Sequence, residues 1–335
     1  MPAAPVISIY LPVWNGLPYI KESVESVLAQ DFQDWELVIG DNASDDGTSD
    51  YLRTLKDSRI KVYSHEKNLG VYKNIRFLIE KCTAPICTGL GADDYFYEGG
   101  LRKIVDVWAK VGPEIGVVAF NWKHRYIKHD EFTTYAYENL PSVLDKKNVT
   151  AAFFLFGNIP GNLSEISART PLCVSEDFLY HIRYSADFDY WLRCSKKTGL
   201  VLSDAHVVYI RRHDRVQSTF VTAKGEYHEE SIPVYEKLID ELSKQCDRKK
   251  LIAIYNINKV SYHLRDAIKH ALYGRFASIK SFLRQKSPIF WPLQTIRCLP
   301  YALSERLRFR VGRPVAQRIM DEAGLTTPKS VEENK

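Results

Sequence analysis

The 335 residues exceed one ordinary domain and fall short of three, and 45% hydrophobic, 26% charged and 12% aromatic residues exclude a disordered or collagen-like chain and a polytopic membrane protein. The net charge of +5 is unevenly placed: residues 269–318 hold eleven Lys or Arg against one acid, Glu305, which leaves the rest of the chain net acidic and excludes a uniformly basic nucleic-acid binder. The six cysteines (82, 87, 173, 194, 246, 298) form no C-x-x-C pair, so neither a zinc site nor a disulfide framework is expected, and a reducing, cytoplasmic compartment fits.

The N-terminal MPAAPVISIYLPVW lacks a basic stretch and a long apolar run, so no signal peptide is expected. No run of about 18 apolar residues predicts a spanning helix either. Residues 6–11 read as a strand and 18–30 as a helix, with Ile20, Val24, Val27 and Leu28 at i, i+4, i+7 and i+8 and Pro18 near the first turn. A strand at 36–40 leads through the loop Asp41-Asn42-Ala43-Ser44-Asp45-Asp46-Gly47 into a helix at 48–56. A strand at 60–63, a helix at 71–82, a strand at 85–90, a helix at 99–111 and a strand at 115–120 follow. Strands alternating with helices in this way predict an α/β, Rossmann-like sheet over residues 1–120.

Residues 121–150 are polar and aromatic without clear periodicity and read as an excursion or lid-like insertion. Beyond it come a helix at 153–156, the Gly-rich stretch 157–161, a strand at 163–168, a helix at 187–197, and one or two strands over 201–210 that end in Arg211-Arg212-His213. After Lys224, Ile232, Tyr235, Leu238, Ile239 and Leu242 take helical spacing, which places a boundary near 222 and a helical, basic region over 223–335.

In an open parallel sheet, ligands bind beyond the carboxyl ends of the strands. Three loops there are acidic or polar: 12–15, 41–46 and Asp93-Asp94. Two adjacent carboxylates repel, and a hard divalent cation bridging to phosphate oxygens offsets that repulsion; a solvated Asp-Asp turn is the plain alternative. Asp41 ends the second strand and could accept a hydrogen bond from a base or ribose, while the acids around it also suit a helix N-terminus. No G-x-G-x-x-G follows the first strand and no G-x-x-x-x-G-K-[ST] occurs, which argues against a dinucleotide dehydrogenase and a P-loop enzyme.

Taken together, Pro12-Val13-Trp14-Asn15, SVESVLAQ (23–30), WELVIGDNASDDGT (35–48), Asn68-Leu69-Gly70, Asp93-Asp94 and ADFDYWLR (186–193) resemble, in order and spacing, the family 2 glycosyltransferases over about residues 5–220. The resemblance implies a GT-A fold over 1–222, with a nucleotide-binding half at 1–120 and an acceptor half at 121–222. It also implies inverting transfer of a sugar from a nucleotide diphosphate sugar to a glycan or lipid-linked hydroxyl, with Mn²⁺ or Mg²⁺ at the Asp-Asp site.

Carried over by position, Pro12 and Trp14 resemble the contacts to the base and Asp41 its acceptor. Asp93 and Asp94 resemble the ribose and metal-diphosphate contacts, with Asp94 the preferred ligand. Asp187 resembles the catalytic base, with Asp189 as competitor. Arg211, Arg212 and His213 resemble a basic motif that reaches the diphosphate or, through His213, the metal. Two departures stand out: Gly91 and Ala186 occupy places where the family commonly has an acid.

Tyr95, Phe96 and Tyr97 could stack on a sugar or pack on their own sheet, and 157–162 could shape the acceptor pocket. The basic segment 269–318, with Phe276, Phe282, Phe290, Trp291, Tyr301 and Phe309, has the composition of a peripheral contact with an anionic membrane, or of a helical tail packed on the body. No nucleic-acid motif accompanies it. A nucleotidyltransferase and a non-catalytic protein on a degenerate transferase fold are the alternative readings.

Overall fold

A computed structural model describes residues 4–121, 142–182, 185–211, 226–274, 276–284, 287, 292–304, 311, 314, 316–319 and 321–322. Its contacts divide the chain into two units, one of Met1–Arg125, Pro160–His181 and Arg193–Arg212, the other of Tyr126–Ile159, Ile182–Leu192 and His213–Lys335. Where the sequence suggests one cut near 222, the segments 126–159 and 182–192 thus group with the C-terminal helices.

The first unit opens with β1 (Ile7–Val13), α1 (Ile20–Leu28), β2 (Trp35–Asp41), α2 (Thr48–Thr54), β3 (Ile60–Ser64), α3 (Val71–Lys81) and β4 (Ile86–Gly89). These strands run parallel in the order β3-β2-β1-β4, and the sheet continues through Ile166–Arg169, antiparallel to both its neighbours, to Val117–Ala119 and Leu200–Leu202. Helices flank a mostly parallel sheet, as a Rossmann-like fold requires. Register brings the carboxyl ends level: Val13 lies opposite Asp41, and Asp41 opposite Ser64. The loops singled out in the sequence therefore leave one edge of the sheet together.

All seven residues of β2 are buried, the mark of a strand covered on both faces. Helix α1 turns Ile20, Val24 and Val27 into the core beside Ile9, Leu11 and Leu37, whereas Leu28, the fourth expected apolar position, is 37% exposed. The strand expected at 163–168 begins only at Ile166, because residues 163–165 form one turn of 3₁₀ helix. Asn162 starts that turn by accepting from the Ser164 N–H while the Glu165 carboxylate accepts from the Asn162 N–H, a capping box that competes with extended backbone. The expected strand over 201–210 is two, Leu200–Leu202 and Val208–Tyr209, the second pairing antiparallel with Tyr95–Phe96.

The second unit is mainly helical. Every residue of Val149–Phe156 is buried, and Ile232, Tyr235, Leu238, Ile239 and Leu242 of Glu226–Leu242 are buried as their spacing predicts. Its core is aromatic: the Phe153 and Phe188 rings stack with centroids 6.1 Å apart, and Tyr235 packs edge-on to Phe188 at 5.4 Å and tilted against Tyr255 at 5.0 Å. Helices Arg248–Tyr255, Ser261–Leu272, Ala277–Arg284 and Pro292–Leu303 follow. Among the described residues no helix is long and apolar enough to cross a membrane.

Candidate functional site

At the carboxyl end of β1 the backbone is held by the neighbouring loop. Asn15 takes φ +53°, and its side chain and the Asp45 pair exchange two bonds, Asn15 Nδ2 to Asp45 Oδ1 at 2.8 Å and the Asp45 N–H to Asn15 Oδ1 at 2.9 Å. The Asn15 N–H donates to Ser44 Oγ, the Gly16 N–H to Thr48 Oγ1 and the Leu17 N–H to Asp46 Oδ2. Asp45 and Asp46 thus serve the fold. Trp14, fixed between these anchors, is 59% exposed and offers a flat apolar ring at the sheet edge, and Pro12 beside it is half-buried.

Asp41 is 1% exposed, its Oδ1 accepting from the Ser44 N–H at 3.1 Å and its Oδ2 from the Ser49 hydroxyl. Next to it Asn42 donates to Asn68 Oδ1 at 2.9 Å and accepts from the Leu69 N–H at 2.8 Å, which ties Asn68-Leu69-Gly70 to the end of β2.

The Asp93-Asp94 turn is braced from three directions. Its Asp94 carboxylate is 3% exposed; Oδ2 accepts from the Ser164 hydroxyl at 2.5 Å and Oδ1 from the Arg211 N–H at 3.0 Å. Ser164 in turn accepts from the Gly91 N–H at 2.7 Å, so one hydroxyl links both ends of the turn. Arg211 adds a bond from Nε to the Asp93 carbonyl at 2.9 Å, pairs with Glu22, and lies 4.8 Å from the Tyr19 ring centre. From below, the Ser23 hydroxyl donates to the Asp94 carbonyl at 2.5 Å, the Phe96 N–H donates to Ser26 Oγ, and the Gln30 amide spans Tyr97 and Leu101. The conspicuous SVESVLAQ segment is therefore the brace of this loop.

Burial raises the Asp94 pKa to about 6, helped by the like charge of Asp93 and against the bonds from Ser164 and Arg211. Asp93 is partly exposed. Both carboxylates converge over Gly91: a Cβ there would lie 2.8 Å from Asp94 Oδ2 and 3.1 Å from Asp93 Oδ1. Glycine is thus the residue this arrangement accommodates.

Among the described residues no three metal-ligating side chains cluster. Two carboxylates are nevertheless the complement that Mg²⁺ or Mn²⁺ takes from protein when substrate phosphates supply other ligands. The residues fit such a cation together with a diphosphate, and the solvent-accessible carboxylate of the two is Asp93. Arg212 and His213 lie outside the described residues. Tyr95 packs on its own two-stranded sheet, stacking on Tyr209 at 4.8 Å, and Tyr97 lies tilted against His206 at 4.4 Å.

In the second unit, Asp187 opens the helix Ala186–Thr198. Its carboxylate is partly exposed, and Oδ2 accepts from Asn158 Nδ2 at 2.8 Å. Asp189 is 3% exposed and lies 3.6 Å from Lys237 Nζ, so the two acids have different surroundings. Ala186, where the family commonly has an acid, is fully buried. Ser164 and Asn158 carry no mark of these roles in the sequence; the Asn162-x-x-Glu165 capping pattern is the one local signal near the first.

Residues 8–164 match the family model described as glycosyl transferase family 2. A putative colanic acid biosynthesis glycosyl transferase of Escherichia coli, WcaA, is 25% identical over 260 residues, covering 76% of this chain and 88% of that protein. The chain spans only 34% and 39% of two uncharacterized glycosyltransferases of Rickettsia bellii and Rickettsia felis that it also matches. Among solved structures, residues 1–349 of Staphylococcus aureus TarS in complex with UDP-GlcNAc superpose with a TM-score of 0.53 at 18% identity, covering 95% of this chain and 90% of that one. Mannosyltransferase PcManGT from Pyrobaculum calidifontis, in complex with GDP-Man and Mn²⁺, gives 0.53 at 14% identity, covering 96% and 87%. At these identities the likeness bears on fold, and the fold is of the GT-A type.

Proposed function

We infer that this chain, which carries a family 2 glycosyltransferase domain over residues 8–164, is an inverting enzyme that moves a sugar from a nucleotide diphosphate sugar to a hydroxyl of a glycan or lipid-linked acceptor. The observation that carries this reading is the braced Asp93-Asp94 turn at the carboxyl edge of the sheet, level with exposed Trp14 and buried Asp41. The base stacks on Trp14 against the Pro12 backbone. Asp41 accepts from it on a remaining lone pair, since a carboxylate has about four such sites and two are in use.

Asp93, the carboxylate open to solvent, meets the ribose and diphosphate side of the donor and would be the ligand to Mn²⁺ or Mg²⁺ in place of Asp94, the ligand that the resemblance prefers. Asp94 keeps the turn in shape and Arg211 acts through it, with Arg212 and His213 contributing positive charge. Such a cation supplies charge neutralisation on the departing diphosphate. Asp187 takes the proton of the acceptor hydroxyl as that oxygen bonds to the anomeric carbon, and the bond from that carbon to the diphosphate oxygen breaks on the opposite face. Asn158 holds the Asp187 carboxylate in place.

The colanic acid assignment of the E. coli relative supports a cell-surface polysaccharide or glycolipid as the product class. With no spanning helix among the described residues, the basic segment 269–318 is the means by which the protein would sit peripherally on the cytoplasmic face of a membrane.

The test is to incubate purified protein with Mn²⁺ or Mg²⁺ and a panel of nucleotide sugars, following thermal stabilisation and released nucleoside diphosphate. Nucleoside diphosphate release that Asp187→Ala abolishes is expected. Pyrophosphate release would instead identify a nucleotidyltransferase, and no donor-dependent stabilisation or product would favour a non-catalytic protein.

A further inference from the structure

The helices Ser261–Leu272 and Ala277–Arg284 pack together as a hairpin, and the described residues at its turn expose large apolar side chains. Leu272 is 82% exposed and Tyr273 74%, the two most exposed large apolar side chains among the described residues, and Phe276 across the turn is 57% exposed. The first helix closes through bonds from the Tyr273 N–H to the His270 carbonyl and from the Gly274 N–H to the Ala271 carbonyl. Gly274 then takes φ +75°, so the chain reverses immediately at a position suited to glycine.

The second helix starts with the Lys280 N–H bonded to the Phe276 carbonyl at 3.1 Å. Phe276, Lys280 and Leu283, at i, i+4 and i+7, therefore share one exposed face, while Phe282 is 3% exposed on the other. Lys269 is exposed three residues behind Leu272. One helical turn rises about 5.4 Å, so each lysine stands roughly that far behind the apex.

Scattered single apolar side chains on a surface are ordinary, but several at one protruding apex mark a contact site. Charge decides what it contacts. The apex opens the segment 269–318, in which eleven cations face a single acid. An anionic bilayer matches both features at once, with its acyl boundary for the apolar tip and its phosphates for the lysines behind. Tyrosine, apolar in its ring and polar at its hydroxyl, suits that depth.

We propose that Leu272, Tyr273 and Phe276 insert into the headgroup boundary of an anionic membrane, with Lys269 and Lys280 on the lipid phosphates. The proposal rests on the membrane reading of the basic segment and assigns its point of contact.

The full chain is to be sedimented with vesicles of phosphatidylcholine containing phosphatidylglycerol, and with phosphatidylcholine alone. Leu272→Ser with Phe276→Ser, both exposed and so compatible with an unchanged melting temperature, is expected to weaken binding to anionic vesicles about tenfold. Lys269→Glu with Lys280→Glu should weaken it at low salt by at least as much. Wild-type protein that ignores anionic vesicles overturns the membrane reading and this proposal together. Unchanged binding by the double serine variant overturns apex insertion while leaving electrostatic attraction in place. Loss of self-association in that variant, with vesicle binding intact, would make the apex an interface between copies and overturn the proposal.

Discussion

Asn158 faces Asp187 with its amide nitrogen, the only orientation that gives an ionised carboxylate a donor. Asn158 thereby fixes the direction in which the Asp187 carboxylate points. Asp187→Asn is expected to lower kcat by about 10²–10⁴-fold with donor binding retained, measured by titration calorimetry with the nucleotide sugar. Asn158→Ala should retain more activity than Asp187→Asn, lowering kcat with the donor affinity and the melting temperature unchanged, whereas a purely structural defect would lower the melting temperature as well. Asp94 is a second case decided at one residue. With its pKa raised to about 6 by burial and by Asp93, the folded protein holds this proton more tightly than the unfolded chain does. Stability is therefore lost as pH rises from about 4 to about 6, by about 3 kcal/mol. Asp94→Asn should unfold at higher urea than wild type at pH 8, and the advantage should vanish near pH 4. Equal midpoints at pH 8 would show that the Asp94 charge carries no such penalty.

At the scale of elements, α1 shows what periodicity conveys and what it does not. Its buried stripe of Ile20, Val24 and Val27 was legible as apolar spacing. The adjacent set, Ser23, Ser26 and Gln30, carries the loop of Asp93 and Asp94, yet polar residues on a helix look alike whether they face water or a loop. A comparable tie joins three strands. Glu36 on β2 accepts from Ser8 on β1 at 2.6 Å, from Thr83 before β4, and from Lys61 on β3 at 2.7 Å. Burial pushes its pKa up, but Lys61, Ser8 and Thr83 outweigh that and bring it down to about 2. A depressed pKa gives stability that is full above the ordinary carboxylate range and lost as pH falls toward about 2. Glu36→Gln should cost about 3 kcal/mol in urea unfolding at pH 7 and close to nothing near pH 2. A cost that does not change with pH would place the effect in packing.

For the whole molecule, the grouping of residues 126–159 and 182–192 with the C-terminal helices has a practical consequence. Phe153 stacks on Phe188, and Phe188 and Phe154 pack against Tyr235, which lies beyond residue 222. A fragment of residues 1–222 is therefore expected to expose this aromatic cluster, bind a hydrophobic dye and melt without a sharp transition, although the family resemblance ends near 220. A cooperative melt of that fragment, equal to that of the full chain, would show instead that the C-terminal helices are a dispensable addition.

By itself the sequence determined the alternation of strand and helix, the mostly parallel sheet, the loops at its carboxyl edge and the concentration of cations after residue 269. Each of these is written in local composition or in a repeat of two or about 3.6 residues. The tertiary structure alone decided which polar groups meet. Ser164 reaches Asp94 across 70 residues and Arg211 across 117, while Asn158 reaches Asp187 across 29. Hydrogen bonds between loops so far apart leave no period in the chain. Burial has no local signature either: Asp93 and Asp94 are alike in the sequence, and only packing leaves the first partly open to solvent and encloses the second.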